Sequence, residues 1–431
     1  MVDVCKISLT KYLTNNLLVW LNKGVQFGGF MQLFKRPFYL NRLLRWRERD
    51  LIKVITGIRR CGKSTLLQLF RDELKVLGVE ESQLVVCNFE DPDTPEFKTW
   101  REAWDFIKEQ LPSSRKVYLF LDEVQRVPEF EKLLDGLHTR KLIDLYVTGS
   151  NAFLLSGELA TYLSGRYVEL RMQPLSFKEY CDALHVNTDY AHHYVNYQRY
   201  SSFPYALTLG NDAMLVSDYL DGIYNTVLVK DVLSRKRLVD ATLINRIAHF
   251  LFDNIGNLTS LRNIAGCISA AGLKTTSATV DGYLDALCDA FLFYKVARYD
   301  IRGKELLSSG HKYYAADIGL RYRKLGHRVG DSGHILENIV YLELLRRSPN
   351  VFIGQHDTRE IDFVTRDEGN LHYYQVSETL RDPKTREREF APLLALRDHY
   401  PKTVITLDED PPASLNGIQQ INAYEFLLSE I

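Results

Sequence analysis

Eight consecutive residues, Gly57-Ile58-Arg59-Arg60-Cys61-Gly62-Lys63-Ser64, restrict this chain more than any other feature. They fit the pattern GxxxxGK[ST], in which glycines let successive backbone N–H groups turn inward around phosphate oxygens. Lys63 is then placed to reach the β and γ phosphates. Ser64 offers a hydroxyl to Mg2+, and the helix starting there points the positive end of its dipole at the anion. With Thr65 added, residues 57–65 are the candidate nucleotide-binding set. Such a loop needs a strand before it and a helix after it, which predicts an α/β fold.

The first half alternates short apolar runs with helix-like stretches, the pattern of a parallel sheet with crossover helices on both faces. Four strands are readable: Leu51 to Thr56, Leu84 to Phe89, Val117 to Leu121 and Asp144 to Thr148. Important polar residues follow their C-terminal ends, where open α/β sheets place ligands. Asp122 and Glu123 follow the third. Asp122 is expected to hold the Mg2+ water shell and Glu123 to polarise an attacking water, which points to hydrolysis rather than transfer to a small molecule. After the fourth strand, the amide of Asn151, next to Ser150, is a candidate for orienting that water; a plain Gly-Ser-Asn turn is the alternative. Arg166 is a candidate for a γ-phosphate, in its own subunit or a neighbour's, because its planar fork pairs with phosphate oxygens; a surface arginine is the alternative.

At 431 residues the chain exceeds one ordinary core. A formal net charge of -1 gives no overall attraction to nucleic acid or an anionic membrane, so any such site must be local. The six cysteines are scattered without a CxxC, which fits a reducing cytoplasm. No apolar run approaches the roughly 18 residues of a membrane span, so a soluble protein with no membrane partner is expected. Eleven histidines show no zinc-site spacing.

Residues 1–30 read as an N-terminal extension with little periodicity, and Met31, which opens a basic segment, is a candidate translation start. Residues 31–180 form the expected nucleotide domain and 181–240 a helical linker region. Over 241–325, two helices, a Gly272 turn and a strand pair suggest a winged-helix unit. Residues 326–431 mix a helix, Leu336 to Arg346, with four short strands and read as a separate α/β unit.

The segment Leu51 to Tyr180 resembles an AAA-type ATPase of the bacterial and archaeal group that joins such a domain to a C-terminal domain of unknown function. Its markers are the phosphate loop, Asn88-Phe89-Glu90-Asp91, Leu121-Asp122-Glu123-Val124-Gln125, Thr148-Gly149-Ser150-Asn151 and Leu163-Ser164-Gly165-Arg166. The likeness continues through Tyr313 to Leu320 and Leu336 to Val340, covering nearly everything beyond residue 30. It implies ATP as the nucleotide, an additional-strand P-loop core, a winged-helix middle and a C-terminal fold similar to restriction endonucleases.

Nucleases of that fold need an acid pair for Mg2+ and a lysine two residues after the second acid. Here Glu337 and Asp362 supply carboxylates, while Gln375 and Ser377 stand where an acid and the lysine belong. Little or no DNA cleavage is expected, with weak binding of one divalent ion left open. For DNA, the helix from Thr275 to Cys288 carries Asp281, Asp285 and Asp289, a poor reading face, and phosphate contacts are left to Arg298, Arg302, Lys304, Arg321, Arg323 and Lys324. Two functions remain. One is an Mg2+-dependent ATPase that rearranges its attached domains, with DNA a candidate partner. The other is a signalling or defence switch gated by ATP or ADP that binds an unidentified protein with slow turnover. Homo-oligomers are compatible with either.

Overall fold

The computed structural model describes residues 33–112, 115–149, 163, 165–233, 240–328 and 330–430. Five strands, β1 (Ile52–Thr56), β2 (Leu84–Asn88), β3 (Val117–Asp122), β4 (Ile143–Thr148) and β5 (Tyr167–Arg171), form an all-parallel sheet in the order β2-β3-β4-β1-β5. β1 and β3 are buried along their whole length. Central parallel strands are covered on both faces, which is why these two read as largely apolar runs. One charge interrupts β1: the Lys53 ammonium is buried against Asp144 of β4 and also donates to the Arg49 carbonyl at 2.8 Å. Burial pulls its pKa down although Asp144 pulls the other way.

Helices cover both faces, as the sequence predicts. The helix Lys63–Val76 lays Leu66, Leu67, Phe70 and Leu74 against one face. The helices Trp100–Gln110 and Phe130–His138 cover the other with Ala103, Ile107, Leu133, Leu134 and Leu137. β5 was not among the four readable strands. Its sequence Tyr-Val-Glu-Leu-Arg alternates at the sheet edge, with Leu170 alone fully buried.

A helical stretch follows: Phe177–Ala183, Tyr190–Tyr200, Ala213–Thr226 and a wide π-helical turn, Val227–Leu233. Next come the helices Ala241–Asp253, Leu261–Ala270 and Ser277–Asp289, then a hairpin of β6 (Phe293–Asp300) and β7 (Glu305–Ala315). The hairpin has no sheet of its own. β6 pairs in parallel with β8 (Val351–His356), Arg298 opposite Ile353, which satisfies the edge backbone of both. Beyond β8 lie β9 (Arg359–Asp367), β10 (Asn370–Ser377), β11 (Lys402–Thr406), β12 (Ala413–Leu415) and β13 (Ile418–Asn422). The result is one eight-stranded sheet, β12-β13-β11-β10-β9-β8-β6-β7, so the boundary expected at 325/326 falls within a single sheet.

The cores are shared in the same way. One apolar cluster runs from Tyr39 and Leu66 through Phe203, Ile244, Leu284 and Tyr314 to Ile405 and Leu427. The opposite face of the five-stranded sheet and the outer face of the large sheet have clusters of their own. Accordingly Arg36–Ile431 is one compact unit, divided from Met1–Lys35. Among the described residues, no helix is long and apolar enough to cross a membrane.

Candidate nucleotide site and its surroundings

The loop after β1 turns through three positive φ angles: Gly57 at 146°, Arg60 at 70° and Gly62 at 104°. It passes so close to the end of β5 that a Cβ on Gly57 would lie 2.1 Å from the Met172 carbonyl oxygen, a contact only glycine avoids. Gly62 caps the helix Lys63–Val76. The Lys63 ammonium, on a side chain 5% exposed, donates to the carbonyls of Gly57 (3.0 Å) and Ile58 (3.3 Å). Those neutral acceptors are weaker than a phosphate oxygen, so the lysine is held over the loop and available to an anion. Ser64 is exposed and Thr65 half-buried on the first turn.

The acids stand one strand away. β4 lies between β3 and β1, with Leu121 opposite Val147 and Thr148 opposite Ile55, so Asp122 and Glu123 share the C-terminal edge with the loop. Each residue is 7% exposed. Thr148 joins them: its hydroxyl donates to Asp122 Oδ1 and accepts from the Glu123 N–H at 3.0 Å. Glu123 has φ 54°, a left-handed backbone costly for glutamate and typical of functional turns. Gln125 donates its amide to Glu123 Oε2. Ser64 and Asp122 carry oxygen donors of the kind that could hold Mg2+, and Lys63 and the loop N–H groups are donors of the kind a phosphate could take.

Asn151 and Ser150 lie outside the described residues. Arg166 requires a correction. Its carbonyl accepts from Ile52 N–H at 2.8 Å at the start of β1, whereas the loop follows the far end, where Thr56 pairs with Arg171. Five residues at about 3.3 Å each separate the two ends by roughly 17 Å, beyond the reach of an arginine side chain. The Arg166 guanidinium pairs with Asp135. A γ-phosphate contact within its own subunit is out of reach, which leaves a neighbouring subunit or a plain surface arginine.

Several partners were invisible in the sequence. Arg36, 3% exposed, donates to the carbonyls of Cys61 (3.1 Å) and Gln173 (2.8 Å) and pairs with Glu179 at 2.7 Å, bracing the loop from behind. Arg59 leaves the loop on the other side, to Asp231 (3.3 and 3.5 Å) and Glu90 (3.6 Å). No spacing or motif signals either set, since the partners come from distant elements.

In the C-terminal unit, Glu337, Asp362, Gln375 and Ser377 line one cleft of about 930 Å³. Lys312 of β7 joins them, its ammonium between Glu337 (2.9 Å) and Glu360 (2.7 Å), while Tyr314 also donates to Glu337 at 2.6 Å. Burial opposes that ammonium, but Glu337, Asp362 and Glu360 outweigh it and hold its pKa above the usual lysine range. Asp362 accepts from the Val376 N–H at 2.8 Å, and burial, then Glu337, push its pKa well above the carboxylate range. Gln375 donates to Glu389 at 2.8 Å. Among the described residues, no group of three or more His, Cys, Asp or Glu is disposed to hold a metal.

Most basic residues expected to meet nucleic acid are engaged internally. Arg321 is buried, donating to the Phe252 carbonyl at 2.8 Å and pairing with Asp331. Arg323 and Lys324 both hold Asp221, at 3.0 and 2.9 Å. Arg298 bonds Gln355, and Arg302 pairs with Asp357 at 3.2 Å.

Residues 49–181 match the family model described as an AAA domain, and residues 191–329 match one described as a domain of unknown function (DUF8612). Over 403 residues the chain is 38% identical to an uncharacterized protein of Haemophilus influenzae, covering 92% of this chain and 99% of that protein. It is 26% identical over 389 residues to an uncharacterized protein of Methanocaldococcus jannaschii, covering 83% and 82%. A Walker-type ATPase of Pyrococcus abyssi is similar in structure with a TM-score of 0.47 at 14% identity, over 68% of this chain and 96% of that one. The chain belongs to one family with the Haemophilus influenzae protein, and its residues 49–181 are an AAA domain.

Proposed function

We propose that the chain binds ATP at the loop 57–65 and hydrolyses it with Mg2+, using the nucleotide state to rearrange the parts packed against the AAA domain. One observation carries this: Thr148 ties Asp122 and Glu123 together on the same sheet edge as Lys63. Lys63 and the loop N–H groups bind the phosphates, and Glu123 takes a proton from water at the γ position. Ser64 and Asp122 would hold Mg2+, which would supply charge neutralisation. In this proposal the helices Leu261–Ala270 and Ser277–Asp289 with their hairpin are a winged-helix unit, and the C-terminal part is a nuclease-like fold without the reaction. The five described cysteines are free thiols, which suits a cytoplasmic setting.

A second reading, a nucleotide-gated switch for a protein partner, is favoured by the ion pairs that Arg321, Arg323 and Lys324 make within the chain, which leave less basic surface for DNA. Phosphate release with and without double-stranded DNA separates the two. Stimulation supports an ATPase working on DNA. DNA-indifferent, negligible turnover with ADP copurifying supports the switch.

A further inference from the structure

Arg59 sits inside the phosphate loop but contributes its side chain to something else. Its guanidinium faces two Asp231 oxygens, at 3.3 and 3.5 Å, on a carboxylate that is 1% exposed. A third nitrogen faces Glu90 at 3.6 Å, and Glu90 in turn accepts from Arg126 at 2.9 Å, three residues beyond Glu123. Burial works against this guanidinium, yet Asp231, then Glu123 and Glu90, hold its pKa above the ordinary arginine value. Through Glu90 and Arg126 the arginine is tied to the strand ends where Asn88 lies opposite Asp122, beside Glu123. Asp231 belongs to the π-helical turn Val227–Leu233, a distortion that recurs at functional sites, within the segment that follows the AAA domain.

We propose that Arg59 is a γ-phosphate sensor whose alternative partner is Asp231, so that a triphosphate, unlike a diphosphate, draws the guanidinium off Asp231 and frees the turn Val227–Leu233 to move. This rests on the ATP-binding reading above. A guanidinium fork that pairs bidentately with a carboxylate pairs equally well with a phosphate, and one fork cannot satisfy both. Competition of that kind converts the presence of one phosphate into a change of packing outside the AAA domain. It also assigns an in-subunit arginine to the site from which the register of β5 excludes Arg166.

The test measures equilibrium affinities for ATPγS and ADP in the native protein and in Asp231→Asn, Arg59→Ala and the double variant. Removing the competitor in Asp231→Asn is expected to tighten ATPγS binding by about three- to tenfold and to leave ADP within twofold. Arg59→Ala weakens ATPγS and not ADP, and in its background Asp231→Asn has no further effect on ATPγS. Equal shifts for both nucleotides, or none, overturn the proposal. Hydrogen exchange on the native protein covers the case in which a variant does not fold: amides of 227–233 exchange faster with ATPγS than with ADP, and equal protection overturns the coupling. Failure of the native protein to bind either nucleotide, or Lys63→Ala binding both normally, defeats the ATP-binding reading itself.

Discussion

The Arg36 guanidinium holds the carbonyl oxygen of Cys61 at 3.1 Å while its Nε pairs with Glu179 at 2.7 Å, so a residue ahead of the AAA domain fixes the back of the phosphate loop. Turning that carbonyl outward leaves the loop N–H groups facing in. Arg36→Ala strands a buried Glu179 and is expected to cost about 3–5 kcal/mol of stability by denaturant titration. Arg36→Met combined with Glu179→Gln removes both charges and recovers most of that stability, but nucleotide affinity stays low because Cys61 is still unheld. Recovery of native affinity in the double variant counts against the bracing role.

Gly57→Ala tests the close approach of the loop to β5. The added Cβ would meet the Met172 carbonyl at 2.1 Å, with φ at 146°. Loop and strand end must move apart, and nucleotide binding measured by a fluorescent analogue falls at least about tenfold while the far-UV spectrum keeps its native form. Native affinity contradicts the loop geometry.

His372 gives the protein a pH dependence. Its ring stacks on Tyr374 with centroids 4.1 Å apart, Nε2 shares a hydrogen bond with Thr403 Oγ1 at 2.9 Å, and burial lowers its pKa to about 4. The unfolded chain takes up this proton near pH 6.5 and the folded one only near 4, so between those values the unfolded state holds more protons and stability falls as pH falls. The loss attributable to this ring is on the order of 2 kcal/mol by pH 4.5. His372→Gln flattens the stability profile over that window, and an unchanged profile contradicts the assignment.

Lys312 is a buried cation of the C-terminal cleft. Lys312→Met leaves Glu337 buried with Tyr314 as a neutral donor and costs about 3–5 kcal/mol by thermal or chemical unfolding. Adding Glu337→Gln restores most of the loss. Equal stabilities for the single and double variants contradict a charge-paired role for Lys312.

The phosphate loop and Asp122-Glu123 were legible because their chemistry lies in contiguous residues at strand ends, and the covered strands β1 and β3 announce themselves as apolar runs. β5 was not, because Glu169 and Arg171 interrupt its few apolar residues; and with β5 unseen, the end of the sheet on which Arg166 lies could not be told. Arg36 with Cys61 and Arg59 with Asp231 are 25 and 172 residues apart, and no local pattern encodes such pairs. The hairpin β6–β7 was legible, but its pairing with β8 was not, since the partner strand comes some 50 residues later and the edge backbone of β6 carries no label for it. Lys312 was missed for the same reason: the lysine two residues after the second acid is absent, and the one that enters the cleft arrives from another strand.

Hydrolysis at this sheet edge is decided by measuring phosphate release by Glu123→Gln beside its affinity for ATP. Glu123→Gln is expected to bind ATP within a few-fold of native and to release phosphate at least about 100-fold more slowly, whereas Lys63→Ala loses binding as well. Native turnover in Glu123→Gln would contradict the assignment of this sheet edge as a hydrolytic centre.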